Sequence, residues 1–300
     1  MGTYLCLSDL GLDIKVIVPP MKLAQRLALG YVRGKLRLLS KVSKRKAAEK
    51  AFDLFCTPQF RNLKKRPPIF KEAEMIQEKF LDYKLVGYRW NKGGQRRVLI
   101  IHGFESSVVN FDHYIKPLIR KGYEVLAFDA PAHGRSSGKQ INALIFRDFI
   151  LHVNKQFGPI HSFMAHSFGG MALGLALEMI PHDEEYRVVL IAPLTETTTS
   201  MGTFFHLLRI DPATQAEFSA LITRMAGKDP SWYSLRRVMP NLKARVLWFH
   251  DEDDGLTPLR DAEKVKADGH PHVEFVISKG LGHRRIYRDN QVKKRIVSFL

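Results

Sequence analysis

The run Met164-Ala165-His166-Ser167-Phe168-Gly169-Gly170 constrains the fold of this chain more than any other segment. It sets a serine between small residues, directly after a strand-like stretch (161–166) and directly before a helix-like one (169–180). So tight a strand-to-helix turn crowds the positions two before and two after the serine. Both must be small, and here they are Ala165 and Gly169. The turn leaves the hydroxyl exposed beside a helix N-terminus, where backbone N–H groups and the helix dipole favour developing negative charge.

A hydroxyl so placed becomes a nucleophile only with a base and a group that orients the base. Two later segments supply these residue types. The apolar run Arg245–His250 ends in Asp251-Glu252-Asp253-Asp254-Gly255-Leu256-Thr257-Pro258, and Val273–Ile277 ends in Ser278-Lys279-Gly280-Leu281-Gly282-His283. An acid cluster and a histidine each follow the C-terminal end of a predicted strand, as Ser167 does. In open parallel sheets that edge gathers ligands and chemistry. Upstream, the strand-like Arg97–Ile101 leads into His102-Gly103-Phe104. Gly103 permits a sharp turn that aims the Phe104 N–H at the serine, and the Phe168 N–H would complete an oxyanion hole.

These pieces, with the loop Phe128–Ser136, resemble the serine esterase and lipase type of the α/β-hydrolase superfamily, in the family's order over residues ~85–300. One departure is Ala165, where the pattern carries glycine. The resemblance implies an α/β fold with a mostly parallel central sheet and helices on both faces. Carried over by position, it implies nucleophile Ser167, acid Asp254, base His283 and oxyanion donors Phe104 and Phe168. Asp251 and Asp253 compete for the acid role; Pro258, four positions after Asp254, fits the family pattern for that choice alone. The implied reaction is hydrolysis of a carboxylic ester or thioester with an apolar acyl group, through an acyl-enzyme. An acyltransferase on the same residues and a non-catalytic interaction protein on the same scaffold are the alternatives. No GxGxxG or P-loop is present, so no nucleotide cofactor is implied, and no metal is called for.

Between residues 82 and 192 short apolar strands alternate with helical stretches, the mark of a parallel sheet covered on both sides. The organisation read from this is a basic helical extension and linker over 1–80, then a hydrolase domain over 81–300. Residues 195–242 are too long for a simple connection and rich in large apolar side chains. They read as a helical cap over the site, with Phe204, Phe205 and Trp232 as candidate substrate contacts.

The formal charge of +17 is concentrated. Residues 21–50 hold ten Lys and Arg against Glu49 alone, leaving +8 for the other 270. No nucleic-acid motif accompanies this run, so nucleic acid is not an expected partner. Residues 21–55 read as a helix on which Leu23, Leu27, Tyr31, Leu38 and Val42 recur at mostly helical spacing. In the simpler reading this stripe packs on the domain; in the other it lies on an anionic membrane surface. Pro19-Pro20 precede the run, and Met21 is a second candidate start. Two cysteines, Cys6 and Cys56, suit a reducing compartment. With no apolar run of about 18 residues and no signal-peptide pattern in the first twenty, the expected location is cytoplasmic, with peripheral membrane contact through 21–50 as its extension. His206…Asp211 is separated by five positions and does not share a helix face. His270-Pro271-His272 lacks a third ligand in sequence, and Gly30…Gly34 encloses Arg33, which denies it a membrane-helix context.

Overall fold

The computed structural model describes residues 3–5, 16–18 and 23–300. Two short strands, β1 (Thr3–Leu5) and β2 (Val16–Val18), pair antiparallel and precede helices α1 (Leu23–Val42) and α2 (Lys44–Phe55). The single helix expected over 21–55 is therefore broken at Ser43, whose Oγ accepts the Lys46 N–H at 3.2 Å and caps α2. A second correction concerns the apolar stripe of α1. Leu23, Leu27, Tyr31, Leu38 and Val42 are exposed, whereas Leu36 and Ser40, on the other side of the helix, are buried. Cys6, Met21 and Lys22 lie outside the described residues.

After an irregular stretch over 57–67, the chain builds β3 (Glu74–Phe80), β4 (Tyr83–Trp90), β5 (Arg96–Ile101), α3 (Asp112–Arg120), β6 (Tyr123–Asp129), α4 (Ala143–Phe157), β7 (Ser162–His166), α5 (Phe168–Leu177) and β8 (Arg187–Ile191). Helices α6 (Thr197–Leu208) and α7 (Pro212–Ala226) follow, then α8 (Leu235–Val238), β9 (Arg245–Asp251), α9 (Leu259–Ala267), β10 (Val273–Ser278), α10 (Gly282–Arg285) and α11 (Asn290–Phe299). Eight strands form one sheet in the order β10-β9-β8-β7-β5-β6-β4-β3. The pairs β3–β4 and β4–β6 are antiparallel, and the rest are parallel. Strands β6 and β7 are buried along their whole length, as a sheet covered on both faces requires. Strand β3 lies within residues that the sequence reading assigns to the extension and linker. Its burial alternates only weakly, with Ile76 and Phe80 inward among charged neighbours.

The register fixes where the loops emerge. Ile101 pairs with Ala165, His166 with Ile191, Ile191 with Phe249, and Asp251 with Ser278. The C-terminal ends of β5, β7, β8, β9 and β10 therefore form one edge, from which His102, Ser167, Asp254 and His283 all issue.

The chain divides into two compact units. The sheet unit comprises Cys56–Thr195 and Tyr233–Leu300; the helical unit joins the chain up to Phe55 to Glu196–Trp232. Of the stretch expected as a cap, 196–232 thus falls in the helical unit and 233–242 in the sheet unit. In the helical unit Phe52 and Phe55 meet Phe218 edge-on, at 5.6 and 5.8 Å between ring centroids. Asp211 ties the unit together: it caps α7 through the Thr214 N–H (3.1 Å) and accepts from Ser40 Oγ (2.6 Å) and Lys44 Nζ (2.9 Å). Asp211→Ala removes a helix cap and both cross-links, and is expected to cost about 1–2 kcal/mol. A lowered urea midpoint, with earlier proteolytic cleavage within α1, is the check.

Candidate active site

Ser167 stands between the last residue of β7 and the first of α5, at φ 56° and ψ −127°. That left-handed φ costs an L-residue roughly 1–3 kcal/mol and survives only where the surroundings over-determine it. Here the Ser167 N–H donates to the Ile191 carbonyl (3.1 Å), and its own carbonyl accepts from Gly170 (2.9 Å) and Leu194 (2.9 Å). The loop after β5 is pressed against the turn. A Cβ on Gly103 would stand 2.7 Å from Ser167 Cβ, and one on Gly169 would stand 2.4 Å from the His102 carbonyl oxygen. Both contacts require glycine. As the first residue of α5, Phe168 has an N–H without an intrahelical acceptor.

His283 Nε2 lies 3.0 Å from Ser167 Oγ, and its Nδ1 lies 2.8 Å from Asp254 Oδ2. A carboxylate at Nδ1 fixes the proton there and leaves the Nε2 lone pair facing the hydroxyl. Asp254 is buried, and burial alone would raise its carboxyl; the hydrogen bond and charge of His283 and the amides of Thr257 and Leu256 outweigh this and hold it below its ordinary value. Those amides reach Asp254 Oδ1 at 2.9 Å each, and Thr257 Oγ1 stands 2.9 Å from Oδ2. Thr257 was not anticipated from sequence, although a hydroxyl three residues after an aspartate is a recurrent local partner.

The three competing carboxylates separate by contact. Asp251 accepts from Ser278 Oγ (2.6 Å) and from the amides of Asp253 (3.0 Å), Leu281 (3.0 Å) and Gly282 (2.8 Å). Asp253 accepts from the Gly280 amide (3.0 Å). Both hold the loop that carries His283, and the imidazole bond is made by Asp254.

Three further histidines act on the same loops. His166 Nε2 is 3.0 Å from the His283 carbonyl and donates to it. Burial first, then the neighbouring charge of His283, pushes the His166 ring well below its ordinary pKa. His102 donates from Nδ1 to the Gly103 carbonyl (2.7 Å) and accepts the Ala130 N–H at Nε2 (2.9 Å). His133 donates to the Pro131 carbonyl (2.9 Å) and accepts the Glu105 N–H (3.0 Å). Each of these two must be neutral to both donate and accept, and so each staples a loop. Burial lowers His102 to about 4; burial and then the charge of His102 lower His133 to about 3.

The aromatic rings of Phe104 and Phe168 stand 6.0 Å apart, edge to face, and both residues are half-buried. Phe204, Phe205 and Trp232 belong to the helical unit. There Phe204 meets Phe55 at 5.0 Å, Phe205 meets Phe218 at 5.0 Å, and Lys228 lies over Trp232 at 6.0 Å. Among the described residues no group of three or more His, Cys, Asp or Glu is arranged to hold a metal ion, and no helix is long and apolar enough to cross a membrane.

Comparison with known proteins bears on the fold. Residues 94–234 match the family described as serine aminopeptidase, S33, a hydrolase family. An esterase from Pyrococcus furiosus superposes with a TM-score of 0.61 at 19% identity, covering 81% of this chain and 95% of that one. The chain has the α/β-hydrolase fold. A thioesterase domain from the curacin biosynthetic pathway shares this α/β-hydrolase fold with a TM-score of 0.56 at 17% identity, covering 75% of this chain and 98% of that one. So does a membrane phospholipase A described as a bacterial virulence factor, with 0.58 at 14%, covering 92% and 97%. No curated protein matches the sequence.

The stapling histidines set an acid limit on stability. Unfolded histidines bind protons below about 6.5, but His102 and His133 in the fold do so only near 4 and 3. The unfolded state gains protons first, so stability falls as pH drops from 6.5 toward 4. Asp129, raised to about 6 by burial against opposing amide hydrogen bonds, acts in the other direction over part of this range. A lower urea midpoint at about pH 5 than at about pH 7 is expected. His102→Gln with His133→Gln should flatten that dependence.

Proposed function

We propose that this α/β-hydrolase cleaves a carboxylic ester or thioester with an apolar acyl group, through an acyl-enzyme on Ser167. The observation that carries the reading is the unbroken relay from Ser167 Oγ through the His283 ring to Asp254, at 3.0 and 2.8 Å. In the proposed reaction His283 Nε2 takes the hydroxyl proton as Oγ attacks the carbonyl carbon. The imidazolium formed is stabilised by Asp254, whose remaining lone pairs are already satisfied. The Phe104 and Phe168 N–H groups receive the oxyanion. His283 then returns its proton to the departing alkoxide or thiolate, and the same ring activates water to release the acid.

The apolar acyl preference is supported by the half-buried rings of Phe104 and Phe168 flanking the serine turn. Contact of Phe204, Phe205 and Trp232 with the acyl group is part of the same proposal. The three superposed neighbours are an esterase, a thioesterase domain and a phospholipase A, names that all denote acyl-oxygen or acyl-sulfur chemistry.

Ser167→Ala is expected to abolish hydrolysis of nitrophenyl esters, by ~10⁴-fold or more, without loss of folding. Asp254→Asn should lower kcat by about 10⁴-fold, because it disturbs the tautomer that presents Nε2 to the hydroxyl. Wild-type turnover in the folded Ser167→Ala protein rejects the assignment. Nitrophenyl esters of graded length, run beside amino-acid nitroanilides, separate an ester substrate from the amide that the family's peptidase name suggests; faster turnover of the medium or long esters is expected. Phe204→Ala should raise KM for the longer esters while leaving the shortest unchanged.

A further inference from the structure

Helix α1 has two apolar faces, and the fold uses one. At 100° per residue, Leu23, Leu27, Tyr31, Leu38 and Val42 fall within about 100° of arc. All five are 66–78% exposed, while Leu36 and Ser40 on the opposite side are buried. Gly34 lies within the same exposed arc and Gly30 just beside it, and nothing stands within 4 Å of where their Cβ atoms would be. A helix that only serves a soluble core needs a single apolar face, so a second one along its whole length calls for an occupant.

Charge identifies that occupant. Arg26, Arg37 and Lys41 run along one border of the stripe and Lys35 along the other, all exposed. The ion pairs of α1 and α2 among the described residues are Lys44–Asp211 and Arg45–Glu49, so these four cations face no carboxylate. A second copy seated on the stripe would bring eight such cations together without an acid between them. An acidic lipid surface would instead neutralise them. The helix is too polar to span a bilayer, which leaves it lying in the interface.

We propose that α1 is an interfacial helix that seats its exposed stripe in the headgroup region of an anionic bilayer, held by Arg26, Lys35, Arg37 and Lys41. The inference rests on the helical unit alone and is independent of the chemistry proposed at Ser167. Flotation of the full chain with phosphatidylcholine vesicles, and with vesicles also containing phosphatidylserine, tests it. Binding is expected to the acidic vesicles and to weaken with added salt. Leu27→Ser with Tyr31→Ser should abolish it. Arg37→Gln with Lys41→Gln should weaken it about 25-fold, near fivefold for each charge removed. These side chains project into solvent, and circular dichroism checks that the variants keep their helices. No binding to either vesicle overturns the proposal, as does binding that survives the Leu27 and Tyr31 changes. A dimer in sedimentation equilibrium that those same changes dissociate, without vesicle binding, assigns the stripe to a second copy and also overturns it.

Discussion

The left-handed backbone at Ser167 is the constraint on which the sheet unit depends. An L-residue adopts φ 56° only under duress, and three backbone hydrogen bonds, from Ser167 to Ile191 and from Gly170 and Leu194 to Ser167, hold it there. Those bonds exist because β8 lies parallel beside β7 in a register that ends both strands together. The loop after β5 closes on the turn because Gly103 carries no side chain to meet Ser167 Cβ. The hydroxyl is thereby lifted out of the sheet edge toward the ring of His283. Residues separated by more than a hundred positions meet because one parallel edge aligns their loops.

Partners, more than residue type, sort the roles of the site's titratable groups. Besides His250, which donates to the Thr257 carbonyl at 2.6 Å, four histidines crowd this edge. Three of them, His102, His133 and His166, are held neutral chiefly by burial; His102 and His133 spend both ring nitrogens on backbone groups of the loops, and His166 spends Nε2 on the His283 carbonyl. The fourth, His283, has a carboxylate on one nitrogen and a hydroxyl on the other. The aspartates divide likewise. Asp251 and Asp253 bind the amides of the loop that delivers His283, and Asp254 binds its ring. Neutral staples around Asp254 let the site hold a proton-accepting imidazole without a second cationic ring competing for that carboxylate.

Much of this was legible in the chain, and the remainder was hidden for physical reasons. The turn at Ser167, the glycine at 103 and the histidine at 283 follow from local demands that few residues meet, so spacing and residue type reveal them. The choice of Asp254 over Asp251 and Asp253 rests on Pro258 and the family resemblance, because the three lie within four positions of one another; in the fold Asp254 is the one that meets the ring. Strand β3 was hidden because charged residues interrupt its alternation at the sheet's outer edge. Helix α1 shows a different limit. Its periodicity reveals an apolar stripe, but a second set including Leu36 competes for the buried side, and sequence alone does not say which set the helical unit covers. Ser43 and Asp211 decide that locally, by ending one helix and tying its junction to α7.

The chemistry read from this edge comes down to whether the Ser167 oxygen is a nucleophile activated by its neighbouring ring. Intact-protein mass spectrometry after treatment with a fluorophosphonate, followed by peptide mapping, asks this without knowledge of the substrate. A single adduct on Ser167, formed far more slowly once His283 is replaced by alanine, is the result the account requires. A folded protein that takes up no label, or carries it on another residue, contradicts it.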